Sequence, residues 1–162
     1  MFRIMTICVA AVALAACQPK APAPDQSAAS KVYLAKTATE PGVQTLPSGL
    51  QYKVVRSGPS TGLRPQVTDE VKVHYEGKLI DGTVFDSSYE RGQPAAMPLG
   101  ALIKGWQEAL QLMRPGDEWI LYVPPELGYG SEGAGQIPPG SALTFRIELI
   151  DVLPGPGRVQ QG

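Results

Sequence analysis

The chain has 162 residues, 43% of them hydrophobic and 18% charged, enough for one ordinary core with tails. Its 14 basic and 15 acidic side chains give a formal net charge of −1, without the basic excess that a nucleic-acid surface requires. One histidine and two cysteines leave little for a metal cluster or for nucleophilic catalysis, and no cofactor is expected.

The amino terminus has the form of an export signal. Arg3 precedes an apolar run over residues 4–13 that is too short to span a bilayer as a helix. Leu14-Ala15-Ala16-Cys17 closes the run and resembles the bacterial lipobox. That resemblance implies a lipoprotein signal peptide over residues 1–16, cleavage before Cys17 and lipidation of Cys17. Gln18 in the next position implies the outer membrane of a Gram-negative cell, with the periplasmic face the expected orientation and the cell surface the other. Cys8 leaves with the signal and Cys17 is acylated, so no thiol remains for a disulfide, a metal or a nucleophile. Loss of Arg3 takes the basic count from 14 to 13 against 15 acidic residues, a net charge of about −2. Membrane attachment therefore rests on acyl chains.

Pro19, Pro22 and Pro24 favour an extended path over residues 18–29, a tether of about 37 Å at roughly 3.1 Å per residue. Residues 27–39 read as a short helix stopped by Pro41-Gly42, too weakly apolar to promise a partner. Residues 17–45 are thus read as lipidated tether and helix, and the folded domain as 46–153. Within it, residues 50–55 alternate as a half-buried strand, and Val71, Val73 and Tyr75 point inward against Lys72, His74 and Glu76. Asp81-Gly82 is a hairpin signal, because a tight turn needs a positive φ that glycine accepts. Residues 83–86 return as a strand, and 95–99 are extended with Pro98 marking an edge. Ile103, Trp106, Leu110 and Met113 form one apolar stripe, so a helix is expected over 103–113, ended by Pro115-Gly116. Gly105 leaves room beside the indole, so Trp106 can lie flat as the floor of a cavity. Residues 118–123 and 143–150 read as strands, the second the clearest in the chain, and 154–162 as a disordered tail. The fold class is α+β, mostly antiparallel strands with one helix packed on a single face.

Two enzyme motifs occur literally and fail their context. Gly58-Pro59-Ser60-Thr61-Gly62 spells G-x-S-x-G, but Leu63-Arg64-Pro65 does not open the helix that a nucleophile elbow needs. Gly128-Tyr129-Gly130-Ser131-Glu132-Gly133 spells G-x-G-x-x-G, yet it follows Pro124-Pro125 and opens no helix, so no dinucleotide is expected. His74 faces solvent on a strand without a second ligand or carboxylate beside it. An enzyme built from these parts works without a nucleophile.

Val73-His74-Tyr75, Asp81-Gly82, Phe85-Asp86-Ser87-Ser88, Arg91, Pro94, Ile103-Lys104-Gly105-Trp106, Tyr129-Gly130, Ile137-Pro138-Pro139 and Phe145 follow one another in order. Together they resemble the FK506-binding-protein (FKBP) family of peptidyl-prolyl cis-trans isomerases over residues 46–153. Thr45-Leu46-Pro47-Ser48-Gly49-Leu50-Gln51-Tyr52 is similar to the bacterial branch that includes the macrophage infectivity potentiators. The resemblance implies a five-stranded antiparallel curved sheet, a half-barrel wrapped around one short helix, with a shallow apolar pocket between them. Trp106 would be its floor, Tyr75, Phe85 and Phe145 its aromatic walls, and Leu102 and Ile103 an aliphatic side. The N–H of Ile103 and the hydroxyl of Tyr129 would hold substrate carbonyls. Asp86 would sit at the edge near Arg91, and Ile137 would close the rim.

The implied substrates are proline-containing polypeptides among exported proteins, with FK506- or rapamycin-type macrolides as further ligands. Two positions depart from the family pattern: Ala95 stands where an aromatic wall residue is usual, and Met97 takes a second aromatic position. A wider, weaker pocket follows. The long helical dimerisation region of the infectivity-potentiator branch is reduced to residues 27–39, so a monomer is expected. Against the isomerase stand a peptide-binding chaperone with little turnover on the same fold, and a structural envelope lipoprotein, which lacks a peptidoglycan-anchoring pattern.

Overall fold

In a computed structural model of the protein, residues 23–156 are described. The expected signal peptide, Cys17, the first part of the expected tether and residues 157–162 lie outside them. The described residues form seven strands: β1 Val43–Thr45, β2 Gln51–Arg56, β3 Glu70–Leu79, β4 Val84–Ser87, β5 Ala95–Pro98, β6 Glu118–Val123 and β7 Leu143–Leu153, with apolar alternation clearest in β3 and β7. All pairings are antiparallel, in the order β1-β2-β6-β7-β3-β4, with β5 also on β3. The expected class, α+β with an antiparallel sheet, is observed; the strand count is larger than five. β4 and β5 divide one edge of β3 between them, at Glu76 to Lys78 and at Glu70 to Val73 respectively. β1 adds a strand at the other end of the sheet, where Gln44 and Thr45 are exposed and present no apolar alternation to read.

Among the described residues there are two α-helices, α1 Ser27–Thr37 and α2 Lys104–Leu110. α2 is shorter than its apolar stripe, because Leu112 and Met113 already bond three residues back, to Ala109 and Leu110. Its face of Trp106, Ala109 and Leu110, continued by Met113, is buried with Val71, Val73, Tyr75, Leu121, Phe145, Ile147 and Leu149 from the central strands. Gly105 serves this packing: a Cβ there would lie 2.8 Å from Val123 Cγ1. Only a glycine lets the helix sit so close to β6.

The folded unit begins upstream of residue 46. α1 docks on the sheet face opposite α2 through polar groups: Thr37 Oγ1 donates to Gln51 Oε1 at 2.6 Å, and Gln51 Nε2 donates to Leu34 O at 2.9 Å. The hydroxyls of Tyr33 and Thr144 lie 2.7 Å apart, and the Tyr33 and Tyr122 rings meet edge to face at 6.2 Å. At the other end, Pro154 to Pro156, read as the start of a disordered tail, hold a defined path, since Gly155 N–H donates to Asp69 Oδ1 at 2.9 Å. No described helix is long and apolar enough to cross a membrane.

Candidate functional site

A cavity of about 270 Å³ opens between the start of α2 and the β3–β4–β5 end of the sheet. Tyr75 and Phe145 reach it from β3 and β7, two strands paired at Tyr75 with Ile147 and at Gly77 with Phe145. Phe85 and Asp86 come from β4, Met97 from β5, and Leu102, Ile103 and Trp106 from the entry to α2. The aromatic rings interlock edge to face. Trp106 meets Tyr75 at 5.1 Å and 82° and Phe145 at 5.2 Å and 87°, while Phe85 meets Phe145 at 5.7 Å and 89°. Each such contact adds about 0.5–1.5 kcal/mol beyond burial, so the walls are stiff before any ligand arrives.

Gly77 makes that arrangement possible. It lies between Phe145 on β7 and Asp86 on β4, and a Cβ there would come within 2.6 Å of Phe85 Cζ and 2.8 Å of Phe145 Cε1. Reading the sequence alone missed it, because a glycine inside a strand signals a close approach without saying of what. Gln107 was missed as well. From the first turns of α2 its amide donates to Leu102 O at 2.7 Å and Gly100 O at 3.2 Å, fixing the turn that supplies Ala101, Leu102 and Ile103 to the wall.

One charged group faces the cavity, and it is held in place. Asp86 Oδ2 accepts the Tyr75 hydroxyl at 2.5 Å, and Asp86 Oδ1 pairs with Arg91 Nη1. Arg91 Nη2 donates to the Tyr75 oxygen at 2.9 Å and its guanidinium lies 5.4 Å from the Tyr75 ring centre. Burial works to raise the Asp86 carboxyl pKa, but the hydrogen bonds from Tyr75 and Arg91 and the Arg91 charge prevail and leave it below the ordinary value. Burial first, then the bond to Asp86, pushes the Tyr75 phenol up, so it stays a donor. Around the cavity three donors have no partner among the described residues: the N–H of Ile103, the residue that caps α2, the hydroxyl of Tyr129 and the buried Trp106 Nε1.

Of the residues singled out in the sequence, Tyr75, Phe85, Asp86, Met97, Leu102, Ile103, Trp106, Tyr129 and Phe145 all line this cavity. Ala101 joins them, and Ala95 does not. Arg91 stands outside the wall, against Asp86, and Ile137 is packed into the core. Ile137 is tied to Ala134 by two backbone hydrogen bonds, Ala134 N–H to Ile137 O at 3.0 Å and Ile137 N–H to Ala134 O at 2.8 Å. His74 does not point freely to solvent. It is half-buried, with Nδ1 2.9 Å from Ser88 Oγ and its ring stacked on Tyr89 at 4.7 Å. Among the described residues no three His, Cys, Asp or Glu side chains gather as a metal site.

Residues 62–150 match the family of FKBP-type peptidyl-prolyl cis-trans isomerases, and residues 5–54 match the domain amino terminal to FKBP-type peptidyl-prolyl isomerase. The chain is 56% identical over 124 residues to the peptidyl-prolyl cis-trans isomerase Mip of Coxiella burnetii, covering 76% of this chain and 53% of that protein. It is 45% identical over 131 residues to the outer membrane protein MIP of Legionella longbeachae, covering 80% and 55%. The crystal structure of FkpA from Escherichia coli superimposes with a TM-score of 0.76 at 46% identity, covering 80% of this chain and 60% of that one. The chain spans about half the length of the curated relatives it matches.

Proposed function

Because the chain belongs to the FKBP-type peptidyl-prolyl cis-trans isomerase family, we propose that its aromatic cavity accelerates cis/trans isomerisation of Xaa-Pro bonds in exported polypeptides. The observation that carries the reading is the apolar floor and walls of Trp106, Tyr75, Phe85 and Phe145, with two uncommitted donors at the rim. Peptide-bond rotation costs about 18–20 kcal/mol because it destroys amide resonance, and Xaa-Pro bonds turn over only in tens to hundreds of seconds. The twisted amide has lost that resonance and carries less charge on its carbonyl. A dry aromatic cavity favours it over the planar form, and differential binding of this kind lowers the barrier with no bond made or broken.

In this reading the proline ring sits on Trp106 among Tyr75, Phe85 and Phe145, with Met97, Leu102 and Ile103 alongside. Ile103 N–H and Tyr129 O–H hold the carbonyls that flank the turning bond. Asp86, clamped by Tyr75 and Arg91, keeps the Tyr75 ring oriented, and Ile137 supports the Tyr129 loop from the core. Residue-resolved exchange NMR of a short Xaa-Pro peptide tests it. Trp106→Leu is expected to lower kcat/KM by about tenfold or more, the scale of one lost large apolar contact. Unchanged rates in Trp106→Leu, Tyr75→Phe and Asp86→Ala together would remove the cavity from the mechanism.

The cellular setting belongs to the same proposal: a signal peptide over 1–16, lipidation at Cys17 and an outer-membrane anchor with the domain facing the periplasm. The name of the Legionella relative supports the membrane assignment. Acyl-chain labelling lost in Cys17→Ser would bear it out. The unlipidated protein is proposed to be a monomer, read by its mass in solution. FK506- or rapamycin-type macrolides are proposed to compete for the cavity, weakly because Ala95 offers no ring.

A further inference from the structure

Helix α1 makes no part of the cavity wall, yet it grips the loop that presents Tyr129. That loop runs from the turn Pro125–Leu127 to β7 and is closed at its base by Gly140 N–H donating to Gly130 O at 2.9 Å. Ser30, 1% exposed in the second turn of α1, straddles the return of the loop. Its Oγ donates to Gly140 O at 2.7 Å and accepts the N–H of Ala142 at 2.7 Å. Gln26 N–H adds a third tie, to Pro139 O at 2.8 Å. Gly140, at φ +67°, is pressed so close that a Cβ would fall 2.2 Å from Ser27 Oγ.

Little else fixes the loop on this side. Behind it, a second cavity of about 300 Å³ lies between α1 and Gly130, Ser131 and Glu126, so side chains do not fill the gap. Tyr129 is 39% exposed, and its hydroxyl has no partner among the described residues. Its position over the site is therefore inherited from the backbone: Gly130 N–H donates to Pro125 O at 2.8 Å, Gly130 O receives Gly140, and Gly140 O receives Ser30. We propose that Ser30 is a positioning residue for the peptide site, acting through Gly140 and Gly130 to hold the Tyr129 hydroxyl over the cavity. This rests on the isomerase reading of that cavity. It makes α1, which precedes the match to the isomerase family, a working part of the site.

The test uses the full chain and separates kcat from KM for a Phe-Pro tetrapeptide by exchange NMR. Ser30→Ala, and Ser30→Cys as a near-isosteric second variant with weaker hydrogen bonding, are expected to lower kcat/KM, by about tenfold for Ala. Ser30→Thr, which keeps the hydroxyl, is expected to stay within about twofold of the parent. Combined with Tyr129→Phe, Ser30→Ala is expected to add almost nothing further, because the two act through one hydroxyl. Thr37→Val cuts the tie between α1 and β2 instead, and is expected to lower Tm without changing kcat/KM. The proposal is overturned if folded Ser30→Ala or Ser30→Cys keeps the parental kcat/KM, if its loss multiplies with that of Tyr129→Phe, or if Thr37→Val loses as much. A parent protein that gives no acceleration would instead overturn the isomerase reading on which it rests.

Discussion

The absence of a side chain at Gly77 is what lets the Phe85 and Phe145 rings meet edge to face beside β3. Gly77→Ala would drive a Cβ into both phenyl rings, and overpacking of this kind costs about 1–3 kcal/mol. Lower Tm together with reduced peptide acceleration is expected; a fully active, equally stable variant would show that the rings have room to move. Asp86 gives a pH prediction of definite sign. Its folded-state pKa is lowered, so the stability it contributes is present above its unfolded value near about 4 and is lost as pH falls through the lower folded value. Carboxyl NMR should place its midpoint below the ordinary range and should move it upward in Tyr75→Phe, which removes one donor. A midpoint indifferent to that substitution would mean that Arg91 alone holds the carboxylate.

β3 cannot be paired continuously along its outer edge, because β5 leaves at Val73 and β4 begins at Glu76. Ser88 patches the gap. Its Oγ, wholly buried, accepts Tyr75 N–H at 2.7 Å, and its N–H donates to Tyr75 O at 2.9 Å, standing in for a strand partner. Ser88→Ala should leave the buried Tyr75 N–H without its acceptor, costing about 1–3 kcal/mol. Faster hydrogen exchange at Tyr75 than at Val71 or Val73 would report it, and uniform exchange along β3 would show the patch to be dispensable. Apolar periodicity made β6 readable to the residue and placed Tyr75, Trp106 and Phe145 on core-facing positions of β3, α2 and β7, while their meeting around one cavity was implied only by the family resemblance. It could not show α1 docking. That helix buries Ser30 and Thr37 and leaves Val32 72% exposed, so what holds it is hydrogen bonding and the Tyr33–Tyr122 contact. Gly105 reads in the sequence as room beside the Trp106 indole, and its close approach to Val123 was not legible, because a glycine does not name its neighbour on another element.

Across the whole molecule, the outer face of the sheet is stitched by charge. Glu118, its side chain 6% exposed, accepts Arg146 Nε at 2.5 Å and lies 3.7 Å from Arg56 Nη1, while Arg56 Nη2 reaches Glu148 Oε1 at 2.5 Å. Three strands thus share one network. Glu118→Ala should lower Tm by more than Glu148→Ala, because it leaves Arg146 without its closest partner, whereas exposed ion pairs contribute about 0–1 kcal/mol each. Equal shifts would mean that burial of Glu118 adds nothing. The pairing of β3 with β7 runs through the middle of the sheet, from Glu70 opposite Leu153 to Leu79 opposite Leu143. Synthesis delivers the amino end first, so Tyr75, Phe85 and Trp106 all emerge before the strand that brings Phe145 among them. Until then β3 offers an unpaired apolar edge with Val71, Val73 and Tyr75, a hazard for association with other nascent chains. A protein proposed to speed the maturation of others therefore spends most of its own synthesis as a candidate for such assistance, and becomes competent only when its last strand closes.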